Sequence, residues 1–171
     1  MNKTNSNNRI LGWREWGVLP DLAIPAIKMK VDTGAKTSAL HAFHIDRIRK
    51  NRQDWVRFAL RPLQRNHKKV ITCETQILDE RVVTDSGGHK ESRYVICSSL
   101  QLSTGLQWDI ELTLTDRDNM RFRMLLGRQA LQAQDFLVNP TLSYCLGKPN
   151  IKTLYATAGV HSQTPDDKDR S

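Results

Sequence analysis

VDTGAKTSAL, residues 31–40, places a single carboxylate, Asp32, after an apolar approach and in front of Thr33 and Gly34. Aspartate and glycine favour turns for local backbone reasons, so the tripeptide alone reads as an ordinary turn. Its surroundings ask for more. The preceding IPAIKMKV alternates, with Ile27, Met29 and Val31 on one face and Lys28 and Lys30 on the other, which predicts a strand that ends just before Asp32. Thr33 offers a hydroxyl that can tie the loop down, and Gly34 allows backbone to approach closely.

Outward from this loop the chain keeps a period of two. ILGWREWGVLP predicts a first strand and turn, Ser38 to His44 a short strand, and DWVRFALRPL a strand with Val56, Phe58 and Leu60 on its apolar side. Val70 to Val83 and Arg93 to Leu102 read as one long hairpin around a polar loop containing Gly87 and Gly88, and LQWDIELTLTD as a further strand closed by DRDN. The only helical candidate is GRQALQAQDFL, from Gly127. An all-β barrel or sandwich with one short C-terminal helix follows. Residues 1–8 are expected to be disordered, 9–147 to form the domain, and 148–171 to be a mostly polar, flexible tail.

The 171 residues are enough for one domain, and 39% hydrophobic residues supply a core without staples. Cys73, Cys97 and Cys145 are odd in number and widely spaced, which fits a reduced, cytoplasmic setting. Neither an export signal nor a run of about 18 apolar residues is present, so no membrane role is expected. The net charge of +8 favours acidic partners, and between His44 and Val70 nine cations from Arg47 to Lys69 face only Asp46 and Asp54. Such a stripe is either an ordinary solvated face or a grip for an anion.

Carboxylates that hydrolyse an amide work as a pair sharing one proton, one activating water and the other donating. This chain has one such loop. A two-fold homodimer is the economical way to bring two copies of Asp32 together.

VDTGAKTSAL together with FRMLLGRQAL resembles the retropepsin-like aspartic proteases. RPLQRN, DERVV, SGGHKESRYVI and ELTLTDRDNMRFRMLLGR further resemble small bacterial proteins known as ATP-dependent zinc proteases or RimB-type retropepsin-like proteins. The likeness covers roughly residues 10–147. It implies a retropepsin-like closed β-barrel with Asp32 catalytic, supported by Thr33, Gly34, Ala35, Gly127 and Arg128. It also implies a hairpin flap over Thr84 to Ser92, with Gly87, Gly88 and His89 on the substrate side beside Lys36 and Thr37. The family is linked with enzymes that add glutamate tails to a small-subunit ribosomal protein. The expected substrate is therefore an acidic peptide or a polyglutamate-tailed protein, with the ribosome as a further expected partner.

Two features depart from the family's name or pattern. Retropepsins carry an acidic residue after Asp-Thr-Gly-Ala that pairs with the arginine, whereas Lys36 stands here and cannot pair with Arg128. Lys36 can instead meet a substrate carboxylate or point to solvent. No His-Glu-x-x-His and no phosphate-cradling Gly-x-x-x-x-Gly-Lys-Ser/Thr occurs, so no metal or other cofactor is expected, and any ATP use falls to a partner. His41 and His44 point to opposite faces of a strand, and His67, His89 and His161 are isolated. A site assembled in space from Asp32, His41, His44 or Cys73 stays open as a minor alternative. A different class also fits the charge: a basic β-barrel that binds RNA or the ribosome without catalysis, Trp55 and Phe58 lying among its cations. A third is a silent dimer that recognises acidic tails.

Overall fold

A computed structural model describes residues 9–117 and 121–158. The disorder expected for residues 1–8, part of the DRDN turn and the polar run from His161 lie outside the described residues.

The described chain is mostly β. In order it forms β1 (Ile10–Leu11), β2 (Arg14–Leu19), β3 (Ile24–Val31), β4 (Ser38–His41), β5 (Phe43–Lys50), β6 (Gln53–Leu60), β7 (Ile71–Gln76), β8 (Asp79–Thr84), β9 (Lys90–Gln101), β10 (Gln107–Thr115) and β11 (Met124–Leu126). A short helix α1 (Arg128–Gln132), the two-residue β12 (Leu137–Val138) and a second helix α2 (Ile151–Thr157) complete it. The main sheet runs β10-β4-β11-β3-β2-β9-β8, and β9 also pairs antiparallel with β10, so the hydrogen bonding returns to its start. The β2–β9 joint in that circuit is the single pair Val18↔Gln101. β5, β6 and β7 form a separate three-stranded sheet.

β11 lies between β3 and β4, which follow one another in sequence. Residues 32–37, which connect β3 to β4, therefore pass around the end of β11.

Alternation on β3 and β6 supplies the core. Ile27, Met29 and Val31 turn inward while Lys28 and Lys30 do not, and Val56, Phe58 and Leu60 are fully buried. They join Leu11, Leu40, Ile96, Leu100, Leu112 and Leu126 in one apolar cluster. The excluded surface of such side chains, at roughly 25 cal/mol per Å2, is the main force holding the two sheets together.

Three expectations need correction. The long hairpin is shorter: Ile71–Gln76 pair with β6, and only β8 turns back along β9. The chain changes sheets at Ile77, whose N–H donates to Asp54 O, and at Leu78, whose N–H donates to Val95 O. α1 is also shorter than the apolar pattern suggests, because Asp135 takes a positive φ of 53° and Leu137 is drawn into pairing with β1. Finally, α2 stands within the segment expected to be a flexible tail. Asn150 caps it by accepting from Thr153 N–H, Ile151, Leu154 and Tyr155 have helical spacing, and the buried Tyr155 hydroxyl donates to Ala26 O on β3.

Glu15 of β2 is fully buried, and a buried carboxylate is costly unless donors surround it. Its Oε1 accepts from Gly12 N–H and Cys145 N–H, each at 2.8 Å, and Oε2 from Leu146 N–H at 3.3 Å. Glu15 thereby joins the start of the domain to the segment before α2. Glu15→Leu leaves three amides without their acceptor and is expected to lower unfolding stability by about 3 kcal/mol, with Glu15→Gln losing less because one oxygen remains. Urea denaturation of the two variants beside the parent measures this, and an unchanged midpoint for Glu15→Leu contradicts it.

Candidate active site

The Asp32 loop is held from both sides. Asp32 N–H donates to Leu126 O at 2.9 Å, and Val31 N–H donates to Trp13 O at 2.9 Å, so the strand end is fixed before the carboxylate is placed. Asp32 Oδ1 then accepts from Gly34 N–H at 3.0 Å and Ala35 N–H at 3.3 Å, an aspartate turn of the kind the sequence suggests. A Cβ at Gly34 would stand 3.2 Å from that oxygen, tighter than an ordinary contact. Oδ2 faces Lys30 Nζ at 3.9 Å, and the side chain is 27% exposed. One oxygen is thus committed to the loop and the other lies beside the Lys30 ammonium.

The Leu125-Leu126-Gly127-Arg128 segment packs under this loop. Gly127 N–H donates to the buried Ser38 Oγ at 3.0 Å. A Cβ on Gly127 would lie 2.6 Å from the Thr37 carbonyl carbon and 2.9 Å from Ser38 N, so only glycine allows the two backbones to meet. Arg128 N–H donates to Ala35 O and Gln129 N–H to Lys36 O. The Arg128 guanidinium donates to Thr33 O and Gly34 O, both at 3.0 Å. With Lys36 in the position where an acid would pair, carbonyl oxygens take the arginine's protons.

Lys36 is exposed, Thr37 half-buried. Gly87, Gly88 and His89 stand together in the turn between β8 and β9. Asp85 organises that turn: its Oδ1 accepts from Gly87 N–H and His89 N–H, each at 2.9 Å, and Gly88 takes a φ of 82° that favours glycine. Those amides, with the nearby Arg117 guanidinium, hold the Asp85 carboxyl below its usual range. Arg117 Nη2 lies 2.9 Å from Asp85 Oδ2, and its own N–H donates to Nδ1 of the buried His41. Among the described residues no hydrogen bond or ion pair joins 84–92 to 32–36, so the turn is pinned through Arg117. Lys30, Ser38, Asp85 and Arg117 were not singled out by sequence; the alternation that put Lys28 and Lys30 on one face was the signal for the first.

Among the described residues no three His, Cys, Asp or Glu side chains gather as metal ligands would. His41 is buried against Arg117, His44 is exposed, and Cys73 donates to Leu22 O, with burial pushing its thiol up to about 12. These four candidates, Asp32 included, do not form a donor set suited to zinc.

The basic stripe divides. Arg47 pairs with Asp54 at 2.6 Å and lies 3.9 Å from Glu80, while Lys50 and Arg57 both pair with Glu74. Three of its cations on β5 and β6 therefore meet carboxylates of the same two strands or of β7 and β8. No helix is long and apolar enough to cross a membrane among the described residues.

Known proteins resemble this arrangement. A family model described as RimB-like, retropepsin-like aspartic endopeptidase RimB, matches residues 10–149. A probable alpha-L-glutamate ligase of Shewanella halifaxensis is 44% identical over 158 residues, which are 92% of this chain and 34% of that protein. One of the same name from Desulfotalea psychrophila is 42% identical over 146 residues, 85% of this chain and 31% of its own length. The chain spans about a third of the length of these curated relatives. The crystal structure of a Legionella pneumophila protein with unknown function superposes with a TM-score of 0.68 at 26% identity, covering 82% of this chain and 99% of that one.

Gly127→Ala forces the Thr37–Ser38 backbone away and should lower stability by about 2–3 kcal/mol, as overpacking of a rigid contact does. Its urea midpoint, set beside the parent's, measures the effect; equal midpoints contradict the close approach.

Proposed function

The chain belongs to the RimB-like family of retropepsin-like aspartic endopeptidases, and from that premise we propose that it is an aspartic peptidase acting as a homodimer on acidic peptides, glutamate tails among them. The observation that carries this reading is the Asp32 loop itself. Its carboxylate is part-exposed, with one oxygen tied to Gly34 and Ala35 amides and the other held by no hydrogen bond within the loop, in a loop buttressed by Gly127 and Arg128.

In the proposed dimer two copies of Asp32 face each other across the two-fold axis with a water between them. One carboxylate takes a proton from that water, which attacks the peptide carbonyl, and the other, protonated, donates as the C–N bond breaks. Thr33, Gly34 and Ala35 hold the loop, with Gly127 and Arg128 beneath it. Lys36 and Thr37 lie on the substrate side. The main sheet closes as a retropepsin-like barrel in this reading, and Gly87, Gly88 and His89 form the tip of a flap that excludes bulk water.

The substrate class draws on charge and on the relatives. A net charge of +8 attracts acidic chains, and the longer relatives are named for joining α-L-glutamate. A peptidase partnered with such an activity trims its product, and a tailed ribosomal protein fits as the bearer. The same names support a second reading, in which this domain holds an acidic tail without cutting it.

Asp32→Asn separates the two. It keeps an oxygen for the Gly34 and Ala35 amides, so folding should survive, while cleavage of a glutamate-tailed peptide followed by mass spectrometry should fall at least about a thousandfold. Undiminished cleavage by this variant, or full turnover by a strictly monomeric parent in sedimentation, rules out the paired-carboxylate mechanism.

A further inference from the structure

One cation of the basic stripe, Arg65, stands apart from those that meet carboxylates. Arg65 hangs from the loop after β6, where it meets cations from other parts of the chain. A cavity of about 500 Å3 is lined by Arg14 of β2, Lys28 of β3, Arg65, Arg121 and Arg123, with Gln64 between them, and among the described residues none that lines it is acidic. Gln64 gives the site a fixed wall: its Oε1 accepts from Lys28 Nζ at 3.0 Å and its Nε2 donates to Arg121 O. Among the described residues, Arg14, Lys28, Arg65 and Arg121 take part in none of the ion pairs, which run instead through Arg47, Lys50, Arg57, Arg81, Arg93, Arg117 and Lys30. Arg14 Nε is buried without a hydrogen-bond partner.

Like charges gathered around one hollow repel, and a low-dielectric wall strengthens that repulsion. The same arrangement concentrates a field that draws anions in. Phe122, the aromatic that lines the cavity, is buried and packs edge-on against Trp13, and the other aromatic rings nearby carry cations. The Arg14 guanidinium lies 4.5 Å from the Trp13 ring and 4.7 Å from that of Tyr144, and Lys28 Nζ lies 5.3 Å from the Trp16 ring. Bases would need those faces for stacking, whereas carboxylates need only the guanidinium and ammonium donors.

Position relates the cavity to the aspartate. Arg14 is the register partner of Lys30, and Lys30 Nζ is 3.9 Å from Asp32 Oδ2. Lys28 precedes Lys30 by two residues, so on an extended strand it stands on the same face, about 13 Å from Asp32 along β3. A peptide laid along that face covers the interval with about four residues.

We propose that this cavity binds the carboxylates of an extended acidic peptide and selects chains whose acidic side chains lie about four residues from the bond held at Asp32. The position of that bond rests on the peptidase reading; the binding of carboxylates does not.

Fluorescence anisotropy with labelled hexaglutamate and the Asp32→Asn protein, which binds without cutting, tests the assignment. Adding Lys28→Gln or Arg121→Gln should weaken binding about tenfold each, the loss of one charge-assisted contact, while Arg47→Gln should leave it unchanged. Thermal unfolding confirms that each variant is folded, and a steep weakening with salt is expected. Binding by the Lys28→Gln, Arg121→Gln double variant equal to that of its parent overturns the proposal. So does a single-stranded hexanucleotide that displaces hexaglutamate and itself binds more tightly through the same residues. Charge-dependent hexaglutamate binding without cleavage by the Asp32-containing parent would sustain the cavity and refute the peptidase; cleavage whose KM ignores both substitutions would do the reverse.

Discussion

Backbone meeting backbone at Gly127 is the constraint on which the rest of the site depends. With its missing Cβ, β11 runs up against Thr37 and Ser38, and the 32–37 connection can bend around the strand end. The Asp32 amide then reaches Leu126 O, and the Arg128 side chain reaches the carbonyls of Thr33 and Gly34. Each of these bonds is ordinary in strength. Their joint effect is to leave the aspartate loop one shape.

The same economy appears in how charge is handled. Glu15 is buried and surrounded by backbone amides, Arg128 lies against backbone carbonyls, and Arg47, Lys50 and Arg57 meet carboxylates across the second sheet. Against that background Arg14, Lys28, Arg65 and Arg121 around Gln64 differ, because among the described residues they join none of the ion pairs. Charge left uncompensated within a shaped hollow is better matched to a ligand than to fold stability.

Much of this was legible at short range. Period-two alternation marked β3 and β6, and the two apolar runs ending in Asp32 and Gly127 marked the two segments that pack together in the candidate site. What short-range pattern does not contain is which strand lies beside which. That β11 separates β3 from β4, or that Ile71–Gln76 leaves the expected hairpin for the second sheet, depends on partners far along the chain. Glu15 looks like any surface glutamate in REWG, since two of its three donors are 130 and 131 residues away. The basic stripe was visible as composition, but that Arg47, Lys50 and Arg57 meet carboxylates while Arg65 joins a cavity depends on the acids and cations of other strands. α2 was hidden by the polarity of its segment, although Asn150 and the spacing of Ile151, Leu154 and Tyr155 carried the signal.

The insertion of β11 between two strands made long before it has a consequence for biosynthesis. Thr33 and Arg128 are 95 residues apart, so the loop bearing Asp32 emerges from the ribosome well before the segment that gives it shape. Contacts of such long sequence separation form late. The nascent polypeptide therefore carries this acidic side chain on an unformed loop until the segment around Arg128 has been made.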